Sequence, residues 1–291
     1  MLGVLNNISS IYAQNNLNNT QMSLESVLNQ LSSGMRINSG ADDAAGLALA
    51  DGLEANVSEL AQSAQNASQG VGYLQTADGA LSQVNSMMNR AVTLATESAN
   101  GTLNTSQLSA ANQEYQSILG EISNIGSNTQ YNGINVFGGS VSIFTNGTTD
   151  TLSIHALSSS AVGDANGTLT YAAGAFTYTS GTAANSQENL STTSLGTATA
   201  ANTAIAAINI AVTDVAAERG YVGSQINLLN ATSGVMTTED TNLTSASNNI
   251  LATDYSSATS EMSKYEILMQ TGISALAQAN STQQMITKLL Q

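Results

Sequence analysis

The sequence predicts a mainly α fold: long terminal helices that form a coiled coil and a helical bundle, with a β-hairpin and a small β-rich central insert. Three observations carry this. Long apolar stripes at helical spacing run through residues 1–139 and 198–291. The middle, 140–197, is rich in Thr, Ser, Gly and Ala and carries Asn-Gly turn signals between short apolar runs. The 291 residues include no proline, so nothing interrupts a long helix.

The elements follow in order. A terminal segment, 1–41, holds an amphipathic stretch with Leu24, Val27, Leu28, Leu31 and Met35 apolar. The clearest helix runs from about Asp42 to Ser98. Its stripe is Val57, Leu60, Ala64, Ala67, Val71, Leu74, Asp78, Leu81, Asn85, Met88, Val92 and Ala95. Asp78 and Asn85 interrupt the seam, either as polar positions near a wet edge or as residues that fix register. Asn100-Gly101 ends this helix. A second, from Thr105 to Ser127, carries Leu108, Ala111, Tyr115, Ile118, Ile122 and Ile125 and folds back antiparallel. Asn132-Gly133, Asn146-Gly147 and Asn166-Gly167 each signal a hairpin.

A third long helix spans 198–249, with Ile205, Ile208, Val212, Val215, Arg219, Val222, Ile226 and Leu229 as its stripe. Arg219 in that seam either snorkels at an edge or pairs with an acidic neighbour. The last segment, 251–291, is amphipathic again, through Met262, Tyr265, Met269, Leu276, Ala279, Ile286 and Leu290. Neither terminal segment can bury its stripe alone. Fraying in the isolated chain and helix formation on association are expected.

Composition narrows the functional classes. Charged residues make up 9% of the chain, and the net charge is −15 with five basic residues. No basic patch exists, which speaks against nucleic acid and anionic lipid as partners. No uninterrupted apolar run has the ~20 residues of a membrane span, so no membrane insertion is expected. The polar helix faces are mostly amides and hydroxyls, which can be covered by another protein at lower desolvation cost than charges. The N-terminus lacks the pattern of a cleavable signal peptide, and composition rules alone place the chain in the cytosol. With no cysteine there is no thiol chemistry, and without X-Pro bonds refolding has no slow isomerisation.

No catalytic, cofactor-binding or metal-binding constellation is visible, and the chain reads as no enzyme. His155, the single histidine, falls in a predicted hairpin and reads as a surface strand residue. The pairs Asp42-Asp43 and Glu239-Asp240 read as acids at helix N-termini, since adjacent carboxylates on a helix do not converge.

Specific strings add a resemblance. Leu31–Ala48 (LSSGMRINSGADDAAGLA) closely resembles the N-terminal signature of bacterial flagellin. Gln65–Gly70, Gln75–Leu81 and Gln130–Gly133 continue the likeness, and Asn242–Ala246, Thr253–Tyr255 and Leu276–Asn280 resemble the C-terminal pattern. Residues 140–197 are not covered.

The resemblance implies a structural subunit that polymerises into the flagellar filament as a helical homopolymer. It implies unfolded export through the flagellar type III apparatus to the extracellular flagellum, growth beneath cap and hook-associated proteins, and a cytoplasmic export chaperone for the C-terminal segment. A hook–filament junction protein is the alternative within the same class. The resemblance also places a Toll-like receptor recognition site at Arg90, Leu94 and Glu114, where Val92 and Thr93 depart from the usual charged residues. The apolar spacing of the two ends, read from the residues themselves, makes Leu24, Leu28, Leu31, Met35, Met262, Tyr265, Met269, Leu276, Ile286 and Leu290 the expected terminal assembly stripes. Ser and Thr hydroxyls of the insert are candidate positions for O-linked glycans.

Overall fold

The computed structural model describes residues 7–162, 168–172, 175–179 and 189–289, with backbone alone at 168–172, 175–179, 283 and 286–289. Among the described residues there are five long helices, a short 3-10 turn at Leu190–Thr192 and three two-stranded antiparallel sheets, which bears out the mainly α expectation.

Helix α1, Ile8–Ser33, starts where the Asn7 side chain accepts a hydrogen bond from Ser10 N. It stops at Gly34, whose φ of 73° is the left-handed conformation that glycine adopts without strain. Helix α2 covers Ala44–Ala99, and Asp43 Oδ1 accepts from the amides of Ala45 and Gly46 at its start. Helix α3, Thr105–Asn128, opens with a capping box in which Asn104 and Gln107 satisfy each other's backbone amides.

Three hairpins follow. Strands β1 (Gln130–Tyr131) and β2 (Ile134–Asn135) turn at Asn132-Gly133. Strands β3 (Gly139–Thr145) and β4 (Thr148–Ile154) turn at Asn146-Gly147. Both turns have positive φ at both central residues, the geometry whose twist matches the flanking strands. Strands β5 (Thr168–Ala172) and β6 (Ala175–Thr179) pair through Tyr171 and Phe176. The turn signal Asn166-Gly167 lies outside the described residues.

Helix α4, Ala198–Leu251, begins with Thr197 Oγ1 accepting from Ala200 N. Helix α5, Tyr255–Leu289, begins with Asp254 accepting from Ser256 N. Contacts divide the chain into two units: Glu59–Asp240, and Met1–Ser58 with Thr241–Gln291.

In the 59–240 unit, α2, α3 and α4 share one core. Arg90 on α2 and Glu114 on α3 meet at the same distance either side of the helix break, so these helices run antiparallel. Asp78 meets Arg219, and a Cβ on Gly70 would stand 3.0 Å from Leu229. The two contacts run in opposite order along α2 and α4, so that pair is antiparallel too.

The buried face differs from the expected one by a small rotation. Leu60, Ala67, Leu74, Leu81, Met88 and Ala95 are buried on α2 as anticipated. Their deep companions are Ser63, Gly70, Ala77, Val84, Ala91 and Ser98, while Val57, Ala64, Val71, Asp78, Asn85 and Val92 are only half-buried. On α4 the same holds: Ala204, Ala211, Glu218 and Gln225 are buried, and Ile205, Val212, Arg219 and Ile226 flank them. Small residues bring helix backbones together, and the larger ones cover the joint from the side. Asp78 and Arg219 are therefore flank residues that pair with each other, Nε to Oδ1 at 2.8 Å. With both side chains about a third exposed (35% and 39%), the pair is worth at most about 1 kcal/mol.

Three expectations need correction. His155 is not a surface strand residue. It lies one position beyond β4, 20% exposed, with Nδ1 3.0 Å from the buried carboxylate of Glu218. A carboxylate at 3% exposure needs donors, and the His155 ring and backbone amide both face it. Glu239-Asp240 lies within α4, not at a helix start. And α4 does contain an 18-residue window of mean hydropathy 1.4, long and apolar enough to cross a membrane by length and composition. Counting uninterrupted runs overlooked it because single polar residues divide it; in the structure its Ala201, Ala204, Ile208 and Val215 pack in the bundle core.

Candidate functional site

The 1–58 and 241–291 unit is a pair of antiparallel helices, α1 against α5. Leu24 and Val27 are buried in the pair, as is Ala258. Leu31, Met262, Tyr265, Met269 and Leu276 are half-buried, and Leu28 and Met35 are exposed. Ile286 and Leu290 fall outside the described side chains. The structure thus places most of the anticipated stripe on the inner side of α1 and α5.

A second apolar set stays open. Ile8, Ile11, Tyr12 and Met22 on α1 are exposed, as are Ile267, Leu268, Ile273 and Met285 on α5. The sequence carried a signal for them: Ile8, Ile11 and Tyr12 stand three and four residues apart, the spacing of one helix face. Weighing only the single longest stripe missed it. Exposed apolar residues gathered on two paired helices mark an interaction surface.

At the α1–α2 and α4–α5 turns, two remote segments are stitched together. Met35 and Ala252 form an antiparallel bridge. Arg36 N donates to Leu251 O at 2.6 Å, and Arg36 Nη2 donates to Ile250 O at 2.9 Å. Thr253 N donates to Gly34 O at 3.1 Å. These bonds satisfy carbonyls that the end of α4 would otherwise leave open, and a cation there suits the helix dipole.

Beside this stitch, Asp42 Oδ2 accepts from Asn38 N, Ser39 N and Ser39 Oγ. Those bonds, the Asn38 amide first, hold its carboxyl below the usual carboxylate range. A depressed acid contributes order that is complete above its unfolded pKa, about 4, and disappears as pH falls through the folded value. The protection factors of the residue 38–42 amides, taken relative to intrinsic exchange at the same pH, should therefore fall below pH 4. Asp42→Asn should exchange fast at every pH; an unchanged acid profile in that variant would contradict the assignment.

The structure brings Arg90 and Glu114 together: Nε to Oε1 is 2.8 Å, at 54% and 46% exposure. The bond to Glu114, then its charge, raises the Arg90 pKa above its ordinary value. Leu94, at 3% exposure, belongs to the bundle core rather than to the surface. Among the described residues, no cluster of three or more His, Asp or Glu side chains is placed to hold a metal ion.

Comparison with known proteins places these surfaces in a family. Residues 4–142 match the model of the bacterial flagellin N-terminal helical region, and 205–290 match that of the C-terminal helical region. Flagellin 1 of Proteus mirabilis is 41% identical over 140 residues, 48% of this chain and 38% of that one. Flagellin of Escherichia coli strain K12 is 43% identical over 137 residues, 47% of this chain and 28% of that one. The aligned stretch thus spans well under half of either relative. The crystal structure of Bacillus cereus flagellin aligns at 25% identity and a TM-score of 0.45, over 63% of this chain and 94% of that one. With both helical regions matched, in order and over most of its length, the chain belongs to the bacterial flagellin family.

Proposed function

We propose that this chain is a structural subunit, without catalysis, that polymerises into an extracellular flagellar filament. The observation that carries this is the α1–α5 pair, which keeps Ile8, Ile11, Tyr12, Ile267, Leu268 and Ile273 in water. Covering such a face gains roughly 25 cal/mol per Å² of apolar surface, and a second copy offers the same chemistry. The inner residues Leu24, Leu31, Met262, Tyr265, Met269 and Leu276 hold the pair; the open set, with the exposed Leu28 and Met35 of the anticipated stripe, joins copies. Family membership supports export through the flagellar type III apparatus, an export chaperone on the C-terminal segment, and growth beneath cap and hook-associated proteins. Adding purified protein to sheared filament seeds should lengthen them in electron micrographs. Seeds that stay short at high protein concentration would sink this reading, and a junction protein would leave them short too.

Charge sets a further expectation. Each subunit carries −15, so neighbouring copies repel, and salt screens repulsion beyond about 10 Å at 0.1 M. The rate of seeded growth, followed by light scattering, should rise several-fold between 10 and 150 mM salt. A rate that falls with salt would contradict contacts made mainly through apolar faces.

Arg90 and Glu114 support recognition by a flagellin-sensing Toll-like receptor, with Leu94 positioning the α2 backbone between them. Val92 and Thr93 replace charges there, so a receptor reporter should respond to monomer weakly, and Arg90→Ala should lower the response further. No response at saturating monomer would dispose of this site.

A further inference from the structure

We propose that the methionines of the two ends are an oxidation site through which hydrogen peroxide keeps an unassembled subunit out of the polymer. The distribution of sulfur points to it. Met1, Met22, Met35, Met262, Met269 and Met285 lie in the segments 1–58 and 241–291, and only Met87, Met88 and Met236 lie in the 59–240 unit. The chain has no cysteine and no tryptophan, so a mild oxidant meets methionine sulfur as the most reactive side chain present.

Accessibility divides the methionines along the same line. Met22 and Met285 are 61% and 56% exposed and Met35 is exposed too, whereas Met88 and Met236 are at 0% and 1% in the bundle core. Met87 is half-buried. Met262 and Met269 are half-buried within the α1–α5 pair, and the fraying expected of both ends in the isolated chain opens them to solvent. Met1 lies outside the described residues.

The chemistry is an oxygen transfer. A lone pair on methionine Sδ attacks one peroxide oxygen, and the O–O bond breaks as the S–O bond forms. The departing hydroxide takes the proton from the sulfur-bound oxygen and leaves as water. Sulfur is oxidised by two electrons, peroxide is reduced, and no other reactant is needed. The product differs from the thioether where assembly is sensitive. A thioether is apolar and flexible and fits an apolar partner without a hydrogen bond. A sulfoxide carries a strongly polar oxygen, which an apolar contact covers without a donor. Met262 and Met269, seven residues apart, would carry such oxygens in the seam of the pair. Met22, Met35 and Met285 would carry them on the set that joins copies. Once neighbours lie over the ends, the same sulfurs are out of reach, so peroxide acts on subunits awaiting assembly and spares those in place.

The consequence for growth rests on the assembly reading; the order of oxidation does not. Full-length unpolymerised protein is treated with hydrogen peroxide, quenched with catalase and digested for mass spectrometry. Met22, Met35, Met262, Met269 and Met285 should gain oxygen at least about tenfold faster than Met88 and Met236. Offered to untreated seeds, the quenched protein should lengthen them about tenfold more slowly than untreated protein, and methionine sulfoxide reductases with a dithiol should restore most of the rate. The combined variant Met22→Leu/Met35→Leu/Met262→Leu/Met269→Leu/Met285→Leu, a volume-conserving exchange, should grow alike before and after peroxide. If that variant fails to assemble untreated, reductase rescue of the natural sequence decides. Equal oxidation of terminal and core methionines would overturn the site. So would full growth of protein whose terminal methionines are oxidised, a growth loss that the reductases leave unrepaired, or terminal methionines that oxidise as fast in finished filaments as in free protein. Seeds left short by untreated protein would count against the assembly reading alone.

Discussion

Replacing Gly126 with alanine should destabilise the 59–240 unit by about 3 kcal/mol or more, although the same change in an ordinary helix stabilises. A Cβ at this position of α3 would sit 1.7 Å from the carbonyl oxygen of Leu157 and 2.7 Å from its carbon. The obstacle is backbone, so no rotamer change relieves it. The turn that carries Leu157 is held on two sides: Ser159 N donates to Ser123 Oγ at 2.8 Å, and Leu157 and Val162 are buried. Either the turn lifts off α3 and exposes those side chains, or α3 moves within the bundle. Gly120, on the same helix, is the control. Nothing lies within 4 Å of the Cβ it would gain, so Gly120→Ala should stabilise by about 0.5–1 kcal/mol. Thermal unfolding followed by circular dichroism should separate the two variants by roughly 10 °C. Similar midpoints would mean that the close approach of α3 and the 157–162 turn is wrong.

Deleting residues 1–35 or 256–291 should abolish seeded growth altogether while leaving the bundle folded. The first deletion removes α1 and the second nearly all of α5, so each strips one partner from the pair that carries the open apolar set. The 59–240 unit keeps its own core of Leu74, Leu81, Met88, Tyr115, Ile122, Ile208 and Leu229 in either truncation. Sedimentation after seeding should find the truncated protein entirely in the supernatant, and its bundle should still unfold cooperatively. Growth from either truncation at the rate of the full chain would contradict the role given to the ends.

Element type was legible in the sequence because local chemistry decides it. Three-four apolar steps, the absence of proline and the Asn-Gly turns place α2 to α5 and the hairpins at 132–133 and 146–147 within a residue or two of the structure, whereas α1 starts at Ile8, well before its anticipated stripe, and β5 and β6 turn beyond Ala172 and not at Asn166-Gly167. The face that each bundle helix buries was less legible. A reading weighted by apolar size chooses Val71 and Val92 on α2 and Ile205 and Val212 on α4. The structure buries Gly70, Ala77 and Ala91 on α2, and Ala204 and Ala211 on α4, because the approach of two backbones rewards small residues. Buried polar residues were illegible for a related reason. Glu218 is unremarkable in sequence and becomes a core residue only because the end of β4 brings His155 to it. The receptor-type residues show the same divide. Arg90 and Glu114 were named from motif similarity and do meet, whereas the burial of Leu94 depends on packing that no motif encodes.

The stitch at Arg36 joins positions 214 residues apart, and among the described elements α1 packs chiefly against α5, near the opposite extreme of the polypeptide. Whatever order the chain is delivered in, the first helix has nothing to lie against until the last one arrives. Loop closure over that span is slow compared with the local hairpin of α2 and α3, so joining the two extremities is the closing act of folding. A subunit built this way keeps its adhesive ends idle while its middle matures.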